Sequence, residues 1–85
     1  GIPLRMNVKK PNKGEAFVLI KKRKINSKNY FFLSKNNNLI KAARNLYPLI
    51  RKIKNKGYKK IAVEKIPNIG IGQTINDRLE RASKY

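Results

Sequence analysis

The chain has 85 residues, 40% of them apolar, with no cysteine and no histidine, and carries 22 Lys and Arg against 4 Asp and Glu for a net charge of +18. A chain this short forms one small domain with a modest core, burying only about 60–65% of its unfolded surface. Without Cys or His, a disulfide framework, a Cys/His zinc site and a His-based catalytic triad are excluded, and Glu15 stands too far in sequence from Glu64, Asp77 and Glu80 to suggest a carboxylate metal cluster.

The charge admits two readings. One is attraction to a polyanion, nucleic acid above all. The other is codon usage, because Lys, Asn and Ile are all favoured by AT-rich codons and the excess would then be a solvated surface. No apolar run approaches the roughly 20 residues that span a bilayer, so no membrane partner is expected. The start, GIPLRM, lacks the length and apolarity of a signal peptide, and the expected compartment is the cytoplasm. Gly1 in the place of Met fits a piece of a longer chain or a cleaved tag.

Residues 1–13 read as an extended lead-in, because Pro3 and Pro11 exclude a continuous helix. Leu4, Met6 and Val8 alternate with polar residues and allow a short strand. Asn12-Lys13-Gly14 marks a turn. The run Ala16 to Ile20 is continuously apolar and reads as a strand covered on both faces. Lys21 to Asn29 is a basic loop, or a strand end and turn. Tyr30 to Leu33 is a second strand, and Asn38 is the expected N-cap of a helix.

From Leu39 the period becomes helical. Leu39, Ala42, Ala43, Leu46, Tyr47, Ile50 and Ile53 fall on one face, with Lys41, Arg44, Asn45, Lys52, Asn55 and Lys56 largely opposite. Gly57 is a natural stop. Pro48 removes one backbone hydrogen bond and predicts a kink or break near Leu46, yet the periodicity continues on both sides. Lys60 to Val63 reads as a third strand, Glu64 to Ile69 as a loop containing Pro67, and Thr74 to Lys84 as a final helix with Ile71, Ile75, Arg78, Leu79 and Ala82 on one stripe. Asp77 with Arg81 and Glu80 with Lys84 are spaced for surface ion pairs on that helix. The order (β)ββαβα predicts a single small α/β domain over residues 1–85, Rossmann-like and layered, with a mixed sheet holding at least one parallel pair.

Gly70 and Gly72 resemble the opening of a phosphate-binding loop. A dinucleotide fingerprint requires a third glycine, where Ile75 stands, and belongs after the first strand of a βαβ unit with an acid about 20 residues on. A P-loop requires a Gly-Lys-Ser/Thr that is absent. The glycines therefore read as the turn into the last helix, capped by Gln73 or Thr74, with Gly70 and Gly72 free to take positive φ.

The stretch AVEKIPNIGIGQTINDRLERAS, Ala62 to Ser83, resembles the end of the C-terminal accessory domain of bacterial threonylcarbamoyl-AMP synthase. That domain typically ends in a strand, a proline-bearing loop, a glycine pair and an N/D-R-L-x-R-A helix. The matching positions are Pro67, Gly70, Gly72, Ile75, Asn76, Asp77, Arg78, Leu79, Arg81 and Ala82. KGEAFVLI, Lys13 to Ile20, is similar to the family's G-E-A strand, and KAARNLYPLIRKI, Lys41 to Ile53, to its alanine-rich helix. Pro48 and the basic loop Lys21 to Lys24 depart from the pattern.

The resemblance implies a non-catalytic accessory domain. Its parent enzyme makes threonylcarbamoyl-AMP from threonine, bicarbonate and ATP for the t6A modification of tRNA. The implied partner is a YrdC-like catalytic domain of the same polypeptide. No cofactor is expected in this chain itself, ATP belonging to the parent enzyme, and no catalytic residue carries over. The alternative is a small basic RNA-binding or ribosome-associated protein, contacting phosphates through Lys21, Lys22, Arg23, Lys24, Lys41, Arg44, Lys52 and Lys56. Tyr30, Phe31 and Tyr58 would stack on bases only where exposed.

Overall fold

A computed structural model describes residues 2–24, 27–36 and 38–84. Its six elements in chain order are β1 (Leu4–Arg5), β2 (Ala16–Lys21), β3 (Tyr30–Ser34), α1 (Leu39–Asn55), β4 (Ile61–Val63) and α2 (Ile71–Lys84). The strands form one sheet in the order β1-β4-β2-β3. This is the layered α/β class expected.

The sheet is parallel in all three ladders, so the expected parallel pair extends across the whole sheet and the mixed character does not appear. The reason lies between β2 and β3. A hairpin there would make an antiparallel pair, whereas β3 enters the sheet with Tyr30 opposite Phe17, at the start of β2. Parallel connections usually need a dozen or more residues; this one is shorter and is anchored at both ends. Phe17 N–H donates to the Asn29 carbonyl at 2.7 Å, and Asn29 Nδ2 donates to the Glu15 carbonyl at 3.0 Å. At the far end Ser34 Oγ donates to the Ile20 carbonyl at 2.9 Å.

Both helices cover one face. Ala16, Val18 and Ile20 of β2 point into a core with Leu46 and Ile53 of α1 and Ile75 and Leu79 of α2. The alternate residues Phe17 and Leu19 form a second cluster with Ala62 on the other face. No helix among the described residues covers that cluster. Val8, Tyr30 and Phe32 pack over it, and Phe17 meets Tyr30 edge-on at 5.2 Å. The apolar run of β2 is thus buried on both faces, as its composition requires.

Helix α1 has the predicted start. Asn38 is extended and its side chain accepts from Lys41 N–H at 3.1 Å. Gly57, at φ +95°, stands just past the helix end. Pro48 neither breaks nor splits the helix, which runs continuously from Leu39 to Asn55 with Pro48 exposed. Ala42, Leu46, Ile50 and Ile53 are buried, but Tyr47 is 41% exposed and does not share their burial. Its position falls at the margin of the apolar stripe, beside the α2 residues Arg81 and Ala82.

Helix α2 begins at Ile71, three residues before the predicted Thr74. Gly70 stands at φ +57° and makes the turn, and the helix starts at the next residue. Gln73 and Thr74 therefore lie inside the first turn and do not cap it. Ile71 is exposed, a correction to the predicted apolar stripe, while Ile75 and Leu79 are fully buried. Among the described residues no ion pair joins Asp77 to Arg81; the ion pairs are Arg5–Glu15 and Arg23–Glu64. The predicted Glu80–Lys84 pair falls on a side chain outside the described residues.

Candidate functional site

The two glycines have different tasks. Gly70 supplies the left-handed backbone that a Cβ would strain. Gly72 supplies close approach: a Cβ there would collide with the Pro67 carbonyl oxygen. The helix can start only where its first turn lies flat against the Pro67 backbone. Asn76, one turn on, donates through Nδ2 to the Ile66 carbonyl at 3.0 Å and to Asn68 Oδ1 at 3.3 Å. The middle of loop 64–70, from Ile66 to Asn68, is thereby held against α2.

The rest of this motif is also architectural. Leu79 is fully buried, and Arg78 reaches across to donate to the Ala43 carbonyl of α1 at 3.4 Å. Asp77 and Arg81 are exposed. No group of three or more His, Cys, Asp or Glu able to hold a metal occurs among the described residues.

The carboxyl ends of β2 and β4 are where open α/β sheets usually take ligands. Here Glu64, directly after β4, fills the position. Its Oε1 accepts the Ile20 N–H at 2.7 Å, and its Oε2 pairs with Arg23 Nη2 at 2.7 Å. A backbone donor of the kind that meets a phosphate is occupied by a carboxylate of the chain itself. Arg23, predicted as a nucleic-acid contact, is engaged in this pair.

Glu64 is half-buried; the buried carboxylate among the described residues is Glu15. Its two oxygens accept from Arg5 Nε at 2.9 Å and Nη2 at 2.8 Å, and Oε1 accepts from Asn12 N–H at 2.6 Å. These bonds to the charged form outweigh burial and hold the Glu15 carboxyl down at about 2, below its ordinary 4.5. The pair clamps β1 to the turn before β2. Sequence reasoning missed both pairs; the G-E-A motif was the only signal that Glu15 mattered.

On the opposite flank, a cleft of about 570 Å³ runs between the outer edge of β3 and the side of α1. Lys22, Lys41 and Lys52, three of the eight predicted contact residues, converge on it. Lys35, which the sequence did not single out, joins them. The predicted Lys21, Lys24, Arg44 and Lys56 are exposed but do not line it. Tyr30 and Phe32 border it along the strand edge, but the register sets their side chains with Phe17 and Leu19 on the face away from α1, and Asn45 Nδ2 fastens α1 to the Leu33 carbonyl at 2.8 Å. Phe31, on the α1 side of β3, also borders the cleft, but it is buried edge-on against Tyr58 at 5.8 Å and serves the core.

A third region is apolar. Ile69 is 78% exposed and Ile40 54%, and Ile40 and Ile71 line one shallow depression where the two helices begin. No helix among the described residues is long and apolar enough to cross a membrane.

The fold and these regions define a small parallel α/β domain with its motif residues spent on structure. Its family is shown by sequence comparison: the model for "Threonylcarbamoyl-AMP synthase, C-terminal domain" matches residues 4–84, and the chain belongs to that family. Membership associates it with the threonylcarbamoyl-AMP synthase of tRNA t6A biosynthesis. Searches of curated proteins and of solved structures returned no match.

Proposed function

We propose that this chain is the accessory domain of a threonylcarbamoyl-AMP synthase, non-catalytic on its own, acting in the cytoplasm beside a YrdC-like catalytic domain of the same polypeptide. The observation that carries this reading is the family match over residues 4–84. Threonine, bicarbonate and ATP are bound and converted by the catalytic domain. The accessory domain docks on it, positions the linker between them and limits escape of the labile adenylate.

The exposed isoleucines are the docking surface in this reading. Ile40, Ile69 and Ile71 stand at the end of the molecule where both helices begin, and an apolar side chain left in water there gains most from a covering partner. Each isoleucine buried at an interface contributes about 1.5–3 kcal/mol. In the full-length enzyme, the pair Ile40→Asp and Ile71→Asp should weaken docking by more than about tenfold. The expected result is slower threonylcarbamoyl-AMP synthesis or greater release of free adenylate, with the melting temperature of the 85-residue chain unchanged. Unaltered synthesis and release would overturn the docking role.

A further inference from the structure

Strand β3 ends the sheet on one side, and among the described residues no strand pairs with its outer edge. Parallel pairing fixes which of its backbone groups look outward. Phe17 N–H donates to the Asn29 carbonyl, so Phe17 turns both its backbone groups to β3, and Phe31 turns its own to β2. Tyr30 and Phe32, one residue to either side of Phe31, turn theirs away from β2. Tyr30 N–H donates to the Ser27 carbonyl at 3.4 Å. Beyond Phe32 the edge is closed: Asn45 Nδ2 donates to the Leu33 carbonyl, and Lys22 N–H to the Ser34 carbonyl at 3.2 Å. The Tyr30 carbonyl and the N–H and carbonyl of Phe32 are left without a partner among the described residues. They stand beside the cleft of about 570 Å³ that residues 30–34 line. Unpaired backbone groups are strong hydrogen-bonding groups, and an open edge is a template for another strand.

An extended segment laid along this edge, about 4.8 Å from β3, would pair with those groups as the next strand. Running antiparallel, it places one residue opposite Phe32, exchanging both hydrogen bonds with it, and another two positions on, opposite Tyr30. Those two side chains fall on the face that Tyr30 and Phe32 share with Phe17 and Leu19, beside half-buried rings, where apolar side chains pair well. The residue between them and its outer neighbours point the other way, toward α1. There they meet Lys41 and Lys52 of the helix, with Lys22 and Lys35 just past the ends of β2 and β3. Beside Phe32 a hollow of about 230 Å³ is lined by Pro48, Leu49 and Lys52. It has room for the methylenes of a glutamate whose carboxylate meets the lysine.

The lysines do not select the site, because a chain with 22 Lys and Arg against 4 Asp and Glu places cations along most of its surface. They select the occupant. A second copy pairing edge to edge would set Lys22, Lys35, Lys41 and Lys52 against their own counterparts, and lysine along an edge guards against such self-pairing. An acidic strand meets opposite charge at the same positions. We propose that the outer edge of β3 binds an extended acidic peptide segment by strand addition. Apolar residues alternate with Asp or Glu in that segment, the apolar set beside Tyr30 and Phe32 and the acidic set toward α1.

The test is fluorescence anisotropy of a labelled peptide, Ser-Glu-Val-Glu-Val-Glu-Ser, titrated with the 85-residue chain at low salt. Two N-methylated forms of the peptide keep its charge and its side chains. Methylation at both valines removes the donors that face β3 and sets methyl groups against the strand, so affinity should fall more than about tenfold. Methylation at the central glutamate alters an N–H that faces away from β3 and should leave affinity close to that of the unmodified peptide. In the chain, the double variant Lys41→Gln, Lys52→Gln should weaken binding roughly fivefold. The double variant Lys9→Gln, Lys10→Gln removes the same charge outside the cleft and should have a smaller effect. Thermal melts of both variants establish that the fold is retained.

Equal affinity of the two methylated peptides would mean attraction by charge alone and would overturn strand addition, as would the absence of binding at low salt. Equal losses in the two lysine pairs would overturn the placement on the β3 edge. Sedimentation of the chain as a dimer that the peptide dissociates would overturn the choice of occupant in favour of a second copy. None of these readouts involves threonylcarbamoyl-AMP synthesis, so failure here and failure of the docking role are separately visible.

Discussion

The two lateral edges of the sheet use charge in opposite ways. At the β1 edge, Arg5 meets Glu15 through two hydrogen bonds and the carboxylate takes a third from the backbone of Asn12. At the β3 edge, Lys22, Lys35, Lys41 and Lys52 surround a cleft that no acid lines. In a chain with so few acids, buried Glu15 and half-buried Glu64 sit where strands must be held together. Cations left without such a partner are available to something outside the fold.

Breaking the paired edge should have the largest effect. Glu15→Gln removes the charge that Arg5 and Asn12 hold. The Arg5 side chain is 44% exposed, so solvent screens the pair and the loss falls short of a fully buried ion pair. A drop of roughly 4–8 °C in melting temperature is expected near neutral pH, the shift about 1 kcal/mol produces in a domain of this size. The pH dependence sharpens the test. Because the folded-state value is depressed, the unfolded chain binds the proton more readily, and stability rises with pH in this interval. The contribution of Glu15 is fully present above its ordinary 4.5 and is lost as pH falls toward about 2. Melting curves of the unaltered chain and the Gln variant should converge over that interval.

The pair at the carboxyl ends of the strands should matter less. Arg23→Gln leaves Glu64 bound to Ile20 N–H and removes only a partner that is 53% exposed, so chemical denaturation should register a loss below about 0.5 kcal/mol. The smallest effect belongs to the cleft. Lys41→Gln with Lys52→Gln should leave stability within about 0.5 kcal/mol, or raise it slightly as self-repulsion falls. A large loss in that last variant would end the contrast between the two edges.

Much of the architecture is legible in the sequence because it is local. The cap at Asn38, the helical period from Leu39 and the stop at Gly57 are read within a few residues of themselves. So is the apolar run of β2. Gly70 reads as a turn because a left-handed position demands glycine. Gly72 reads as having the same freedom, yet its need is space against Pro67, which only the packed loop creates. The start of α2 and the exposure of Ile71 escape the sequence for the same reason. Ion pairing fails more broadly: i, i+4 spacing points to Asp77 and Arg81, whereas the pairs that form join positions 5 with 15 and 23 with 64. Lys35 escapes notice because it lies in no basic run; the parallel register of β3 on β2 sets it near Lys22. A hairpin at residues 22–29 would have placed it at the other end.

The position of β4 has a consequence for how the chain assembles. It lies between β1 and β2, pairing Ile61 with Leu4 on one side and with Ala16 on the other. Among the described residues, strand β1 has no other neighbour in the sheet. Both ladders must close loops of more than forty residues, so the order of folding is constrained: β2, β3 and α1 can associate first, and β4 is inserted late. Until residues 61–63 arrive from the ribosome, β1 has no strand to pair with and the edge of β2 that β4 will cover stays open. A nascent chain paused in that interval would expose the surfaces most apt to recruit a foreign strand.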